Sequence, residues 1–353
     1  MNFDPDENQA LFRDTVERFC APVDIAARKA IRATSGGLDR NRWRELAELG
    51  IIGLAVGEDD GGLGGSLTDC AIVAQTLGKA LAVEPWLENG FVPVRLLAGH
   101  ALAKALVDGA CFAAFAFAEP GGRYALEASS VIAQHDGPGY RLNGEKRFVL
   151  GGAAADQFIV TAALAGETRL FLVSANDQGA KAREYQIADG SLGIVLTLRD
   201  AAAGLLPGGI DRIRAVAADA MIIAAAEMTG IAKRLFDETL TYVKTREQFG
   251  QPIGRFQVIQ HRMVDGYADC EEMLSALYRV LLIPAQDRFG QAAGLKAQVG
   301  DLATGVAQMA VQLHGGMGMT DELAIGHGLK RILMLSRLFG DAASGYGAVA
   351  RRT

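Results

Sequence analysis

DAMIIAAAEMTGIAKRLFDETLTYVKTREQFG, residues 219–250, runs from end to end without a proline. Its apolar residues form a broad stripe at helical spacing, so the segment reads as one long helix. A helix this long and this apolar hides its stripe only against partners of similar length, which points to a helical bundle. Two later stretches repeat the pattern: GRFQVIQHRMVDGYADCEEMLSALYRVLL from Gly254 and AAGLKAQVGDLATGVAQMAVQLHGG from Ala292.

The chain ahead of this bundle divides in two. The first part also reads as helical. In NQALFRDTVERFC, Leu11, Val16 and Phe19 fall near helical spacing behind the acidic DPDE, a charge that suits a helix N-terminus. NRWRELAELG ends on Gly50, a C-cap residue. GEDDGGLGGS imitates a phosphate-binding glycine loop but lacks the Lys-Ser/Thr ending and is read as a turn. The second part changes character. CFAAFAFAE, YRLNGEKRFVL, DQFIVTAAL and RLFLVS are short apolar or alternating runs separated by Gly, Pro, Asn and Asp. These are strand signals, and the Asn143-Gly144 pair signals a hairpin turn. The expected fold is therefore α+β, with a helical domain over 1–109, a β domain over 110–215 and a helical bundle over 216–353.

Composition removes several function classes. The formal net charge of −6 gives no nucleic-acid footprint. The acidic N-terminus has no basic, then apolar, leader pattern, and four scattered cysteines without a CxxC pair fit reduced thiols, so a cytoplasmic location is expected. Five unclustered histidines argue against a metal site. Asp219 interrupts the most apolar run, Ala215–Ala226, so no membrane span is expected.

TREQFGQPIGRFQVIQHRMVD (245–265) and QLHGGMGMTDELAIGHGLKR (312–331) carry the most information. In this order and spacing the chain resembles the acyl-CoA dehydrogenase family of flavoproteins. FAFAEPGG and LNGEKRFVLGG resemble that family's flavin-contacting strands. The resemblance covers essentially the whole chain. It implies a helical N-terminal domain, a barrel-like β domain and a C-terminal four-helix bundle. It also implies FAD, an acyl-CoA substrate, an electron-transfer flavoprotein or similar acceptor, and a homo- or hetero-oligomer with FAD at its subunit interfaces. Arg246 matches the arginine that reaches the FAD pyrophosphate, where a planar guanidinium pairs with phosphate oxygens. Phe249 matches an aromatic beside the adenosine portion, and Gln312, Gly315 and Gly316 match the segment along which backbone approaches the ADP portion. Gln257 matches a position that serves interface or cofactor.

Departures from the family pattern are as informative. Ala118 stands where the family places a hydroxyl against the flavin, and Phe148 and Leu150 flank the second such place, with Phe148 able to stack on the ring. Met221 replaces an arginine that many members direct at CoA. Glu227 lies mid-helix in an apolar run and reads either as the partner of a neighbouring helix or as a polar group at the acyl end. The family's reaction removes an α-proton from the thioester with a carboxylate, while the β-hydrogen leaves as hydride to the flavin. At the position matching the usual glutamate stands Gly340, followed by Asp341; at the alternative position stands Ala220, preceded by Asp219. Two readings stay open: Asp341 is the base, or the chain is a base-poor subunit of a heteromeric dehydrogenase. LFGDA, QLHGGMGMT and GHGLKR resemble small subunits of bacterial heteromeric acyl-CoA dehydrogenases acting on dicarboxylyl, steroid or other bulky acyl chains.

Overall fold

A computed structural model describes the chain apart from residues 1–4, 22–23 and 352–353. Six helices come first: α1 (Glu7–Cys20), α2 (Ile25–Arg32), α3 (Arg40–Glu48), α4 (Leu67–Ala80), α5 (Val92–Leu97) and α6 (Ala103–Val107). Seven strands follow: β1 (Ala113–Ala116), β2 (Ile132–Asp136), β3 (Gly139–Leu150), β4 (Gln157–Leu164), β5 (Glu167–Ser174), β6 (Ala180–Gln186) and β7 (Leu192–Gly209). The last part holds α7 (Ile210–Thr245), a small hairpin of β8 (Glu247–Gln248) and β9 (Gln251–Pro252), α8 (Gln257–Leu281), α9 (Arg288–His314), α10 (Ala324–Leu335) and α11 (Ala342–Ala350). The α+β class and the order of helices, strands and helices are those expected.

The elements form two compact units. One holds Lys29–Leu67 and Val83–Ala220; the other holds the N-terminal residues up to Arg28, Thr68–Ala82 and the chain from Met221 onward. In the first unit the sheet closes on itself: β4, β2, β3, β7 and β5 follow one another, and β5 pairs back with β4. β1 adds to β4 in parallel, and β6 adds to β7. Closure removes the open edge that a sheet of this size would otherwise present. Its interior is aliphatic and aromatic, with Leu142, Val149, Phe158, Phe171, Ile194 and Leu196 almost wholly buried.

The Asn-Gly signal misplaces the hairpin turn. β2 and β3 join through Gly137-Pro138, and Asn143-Gly144 sits inside β3 at a register shift. Gly144 takes φ 141°, and a Cβ there would come within 3.0 Å of Val131 and Ser130. The amide of Asn143 closes two hydrogen bonds with Asp200, at 2.9 Å each. Bulge chemistry and turn chemistry call for the same residues, so the pair alone cannot tell them apart.

The second unit is the bundle, with α1 and α4 joined to it. Asp6 caps α1 and forms a reciprocal capping box with Gln9. An 18-residue window of α7 reaches a mean hydropathy of 1.5, enough to pass for a membrane span, yet 89% of it is buried inside the protein. The burial is that expected of a bundle helix, and Asp219 and Glu227 interrupt its apolar run. The contact between α4 and α7 rests on reciprocal glycines. A Cβ at Gly78 would lie 2.3 Å from the Glu227 carbonyl oxygen, and one at Gly230 would lie 2.0 Å from that of Gln75.

Because backbone meets backbone there, Gly230→Ala is expected to lower the unfolding free energy by about 1–3 kcal/mol. Gly305→Ala on α9, where an added Cβ meets nothing within 4 Å, is the control. It is expected to be neutral or to stabilise by up to ~1 kcal/mol. Urea melts of both variants check the pair; equal effects would show that the α4–α7 contact is not backbone-limited.

Candidate active site

In the β-bearing unit, the strands that resemble flavin-contacting strands are organised by a buried ion pair. Lys146 on β3 has no exposed surface. Its Nζ donates to the Phe117 carbonyl at 3.0 Å, to Glu119 Oε1 at 2.8 Å and to Thr161 Oγ1 at 2.8 Å. Three donors meet three oxygens, so the ammonium is fully satisfied. Glu119 is equally engaged. It accepts from the main-chain N–H groups of Ser129 (3.0 Å), Ser130 (2.6 Å) and Val131 (3.2 Å) and from both serine hydroxyls. Burial raises the Glu119 carboxyl, but Lys146 and the serine N–H groups more than offset it and hold it at about 2. Burial pushes Lys146 down to about 8, against the pull of Glu119.

This pair sets the backbone beside it. Arg147 N–H donates to the Ala118 carbonyl at 2.8 Å, which ties the segment just past β1 to β3 beside Phe148. A register shift separates Lys146 from Val149, and Phe148 takes φ 53°. The bulge leaves Phe148 half-buried, off the regular pleat. Neither Ala118 nor Leu150 carries a hydroxyl. The sequence reading missed Glu119 and Lys146. The signal was present: each is a charge interrupting an apolar run, in FAFAEPGG and GEKRFVL.

In the bundle unit, the remaining expected cofactor residues lie at the ends of two helices. Tyr242 near the end of α7 stacks on His314 at the end of α9, with centroids 4.2 Å apart. Arg246 follows α7 directly, and Phe249 and Gly250 form the turn of the β8–β9 hairpin. Gln312 belongs to the last turn of α9, and Gly315 and Gly316 follow it, Gly315 at φ 61°. Phe249 is 93% exposed. A Cβ added at Gly250, Gly315 or Gly316 would meet nothing within 4 Å. Arg246 is exposed and pairs with no carboxylate among the described residues. These groups open outward, and the donor set of guanidinium, bare backbone and aromatic face suits an anionic nucleotide. FAD therefore fits this end of the bundle. Gln257 opens α8 as an exposed residue.

Asp341 occupies a defined structural position. It is the N-cap of α11, accepting from Ser344 N–H at 2.9 Å. Phe339 and Gly340 precede it with φ 58° and 141°. Lys296 on α9 is 2% exposed and donates to the carbonyls of Ser336 at 2.8 Å and Gly340 at 2.5 Å. Glu227 has found a helix partner: Arg331 on α10 donates to both its carboxylate oxygens, at 2.7 and 3.2 Å. In the other unit, Asp219 accepts from Arg95 on α5 at 2.6 Å. Among the described residues no three metal-ligating side chains come together.

Comparison with known proteins gives three family-model matches. The acyl-CoA dehydrogenase N-terminal domain matches residues 6–102, its middle domain residues 114–195 and its C-terminal domain residues 208–353. Acyl-CoA dehydrogenase IpdE2 of Mycobacterium tuberculosis is 31% identical over 322 residues, covering 90% of this chain and 88% of that protein. The ChsE4–ChsE5 complex from Mycobacterium tuberculosis superposes with a TM-score of 0.90 at 26% identity, over 99% of this chain and 98% of that one. A variant of the Tcur3481–Tcur3483 steroid ACAD gives 0.89 at 26% identity, over 98% of both chains.

Glu119→Gln keeps the shape but removes the charge opposite Lys146. It is expected to cost about 3–5 kcal/mol of stability, because an ammonium is left buried without its counter-ion. In the unaltered chain the Glu119 contribution should be complete above the ordinary carboxylate range near pH 4.5. It should fall away as the pH drops toward about 2. Urea melts between pH 7 and pH 2.5 check both; a variant with the same acid limb as the parent would show that Glu119 does not set it.

Proposed function

The chain belongs to the acyl-CoA dehydrogenase family, and we propose that it works as one chain type of a heteromeric enzyme that α,β-dehydrogenates an acyl-CoA thioester. Family membership makes it a flavoprotein oxidoreductase with FAD as its cofactor. Bound FAD supplies the acceptor for the hydride that leaves the β-carbon. Arg246, Phe249, Gln312, Gly315 and Gly316 would hold the phosphate and adenosine portions, and Phe148 with the Ala118 segment would border the flavin ring. With no hydroxyl at Ala118 or Leu150, hydrogen bonding to the ring would fall to main-chain groups there. Electrons leave to an electron-transfer flavoprotein or similar acceptor, and the enzyme works in the cytoplasm.

One observation carries the division of labour. The position matching the family's base is Gly340, which has no side chain, and the next residue spends a carboxylate oxygen on the cap of α11. A hydrogen bond from a main-chain N–H favours the charged carboxylate, which makes it a weaker base, and it orients the group along α11. The other chain type then supplies the base. The relatives agree in kind: two of the solved neighbours are two-protein complexes, and one is named a steroid ACAD. A bulky acyl chain follows as the substrate class.

A second reading makes Asp341 the base. It rests on the place of Asp341, half-buried and one residue past the family position, directly after Leu338 and Phe339. Asp341→Asn in the purified, flavin-loaded assembly separates the two. On the leading reading turnover stays within about threefold of the parent. On the second it falls by about 10²–10⁴-fold, the range for loss of a general base.

Arg246→Ala tests the FAD clamp. Loss of a charge-assisted phosphate contact of about 1.5–3 kcal/mol weakens FAD binding by roughly 10–150-fold. Arg246→Lys should recover only part of it, because an ammonium cannot form the fork. Flavin fluorescence titration of the apo-assembly reads both; unchanged affinity in Arg246→Ala would remove Arg246 from the clamp.

A further inference from the structure

Lys296 is the second buried lysine of the chain, and the family roles leave it without one. Its two acceptors, the Ser336 and Gly340 carbonyls, lie at the two ends of the link between α10 and α11. Ser336 is the C-cap of α10, and Gly340 precedes Asp341, the N-cap of α11. The link is tightly wound. Phe339 takes φ 58°, uncommon for a bulky side chain, and Gly340 takes φ 141°, which favours glycine. Small residues bring α9 close on both sides. A Cβ at Gly345 would lie 2.5 Å from the Ala293 carbonyl, and one at Gly300 would lie 3.2 Å from Ser336 Cβ. A methionine at 296 would fill nearly the same volume. It would also strip the donor from two carbonyls that face α9.

We propose that Lys296 is a positioning residue for the reaction: its ammonium draws the Ser336 and Gly340 carbonyls toward α9 and so fixes the backbone at the place the family gives to its base. The inference rests on the second reading above, in which the 336–341 turn carries the base Asp341, and adds a residue that acts through that main chain without touching substrate. Burial pushes Lys296 down to about 8, opposed by the charge of Asp341 and assisted by that of Arg337. The ammonium form therefore predominates at neutral pH. The two carbonyls are its anchor, and the strained Phe339-Gly340 turn is what the anchor holds.

Lys296→Met and Lys296→Arg, made in the full chain and purified as the flavin-loaded assembly, test this. Hydrogen exchange read by mass spectrometry follows peptides across 336–345. Steady-state kinetics with octanoyl-CoA, palmitoyl-CoA and a steroid side-chain acyl-CoA give kcat and KM separately. Lys296→Met is expected to speed exchange in that segment about tenfold or more, with the early turns of α9 unchanged. It should lower kcat by about tenfold or more with KM within threefold, as a misplaced reacting geometry does. Lys296→Arg keeps the charge and restores part of both. Should the methionine variant fail to fold, Lys296→Gln, which keeps a donor, must show intermediate opening in the same assays. Exchange at the parent rate in Lys296→Met overturns the proposal, as does raised exchange with unchanged kcat. If the parent oxidises none of the three acyl-CoAs, the dehydrogenation reading fails, while the exchange result still judges the grip of Lys296.

Discussion

An ammonium group removed from water must find oxygen, and the desolvation cost is several kcal/mol when it does not. Two lysines of this chain are buried, one in each compact unit, and each is met by oxygens from segments distant in sequence. Lys146 collects the Phe117 carbonyl, Glu119 and Thr161; Lys296 collects the Ser336 and Gly340 carbonyls. Apolar packing would tolerate small shifts of these segments, since dispersion is non-directional. Hydrogen bonds from a buried cation do not, because every displaced oxygen leaves charge uncompensated. The demand for satisfaction thus becomes a demand for geometry. In the first unit it sets the segment after β1, with Ala118, against β3, with Phe148. In the second it sets the turn that carries Gly340 and Asp341.

How far these features could be read in advance follows from whether their cause is local. The long apolar period of residues 219–250, the acidic start of α1 and the glycine after α3 are local, and the helices followed. Alternation and turn residues gave the β module for the same reason. Asn143-Gly144 failed because φ near 141° at a glycine serves a bulge as well as a turn, and what decides between them is Val131 on the partner side. The lysines failed for a deeper reason. A lysine in GLKAQVG looks like the solvated edge of an amphipathic helix until the oxygens 40 or more residues away are known. Glu227 was weighed between a helix partner and an acyl-end role, and only Arg331, 104 residues on, decided for the partner.

The expected cofactor residues show a further limit. Arg246, Phe249, Gln312 and the Gly315-Gly316 pair converge at one end of the bundle, helped by the Tyr242–His314 stack. Convergence alone would suit an internal ligand. Their exposure says otherwise: a bulky aromatic 93% open to solvent and glycines whose missing side chains would touch nothing are groups waiting on a surface supplied from outside. A sequence motif encodes which residues take part, whereas the direction they face is a property of the folded chain.

The same reasoning bears on Gly340 and Asp341. A glutamate at 340 would need φ near 141°, a region that side chains avoid, and its Cβ would stand 2.8 Å from Ser344 Oγ. The turn that Lys296 grips is therefore incompatible with the family's base at its usual place, whatever the substrate. Asp341, one residue on, is held differently. Starting α11 at residue 342 makes 341 the cap, and a capping carboxylate is oriented along its own helix by the N–H group it accepts. A chain so built keeps a dehydrogenase fold and a surface suited to clamping FAD. Whether the carboxylate one residue past that place also serves the chemistry is what Asp341→Asn decides.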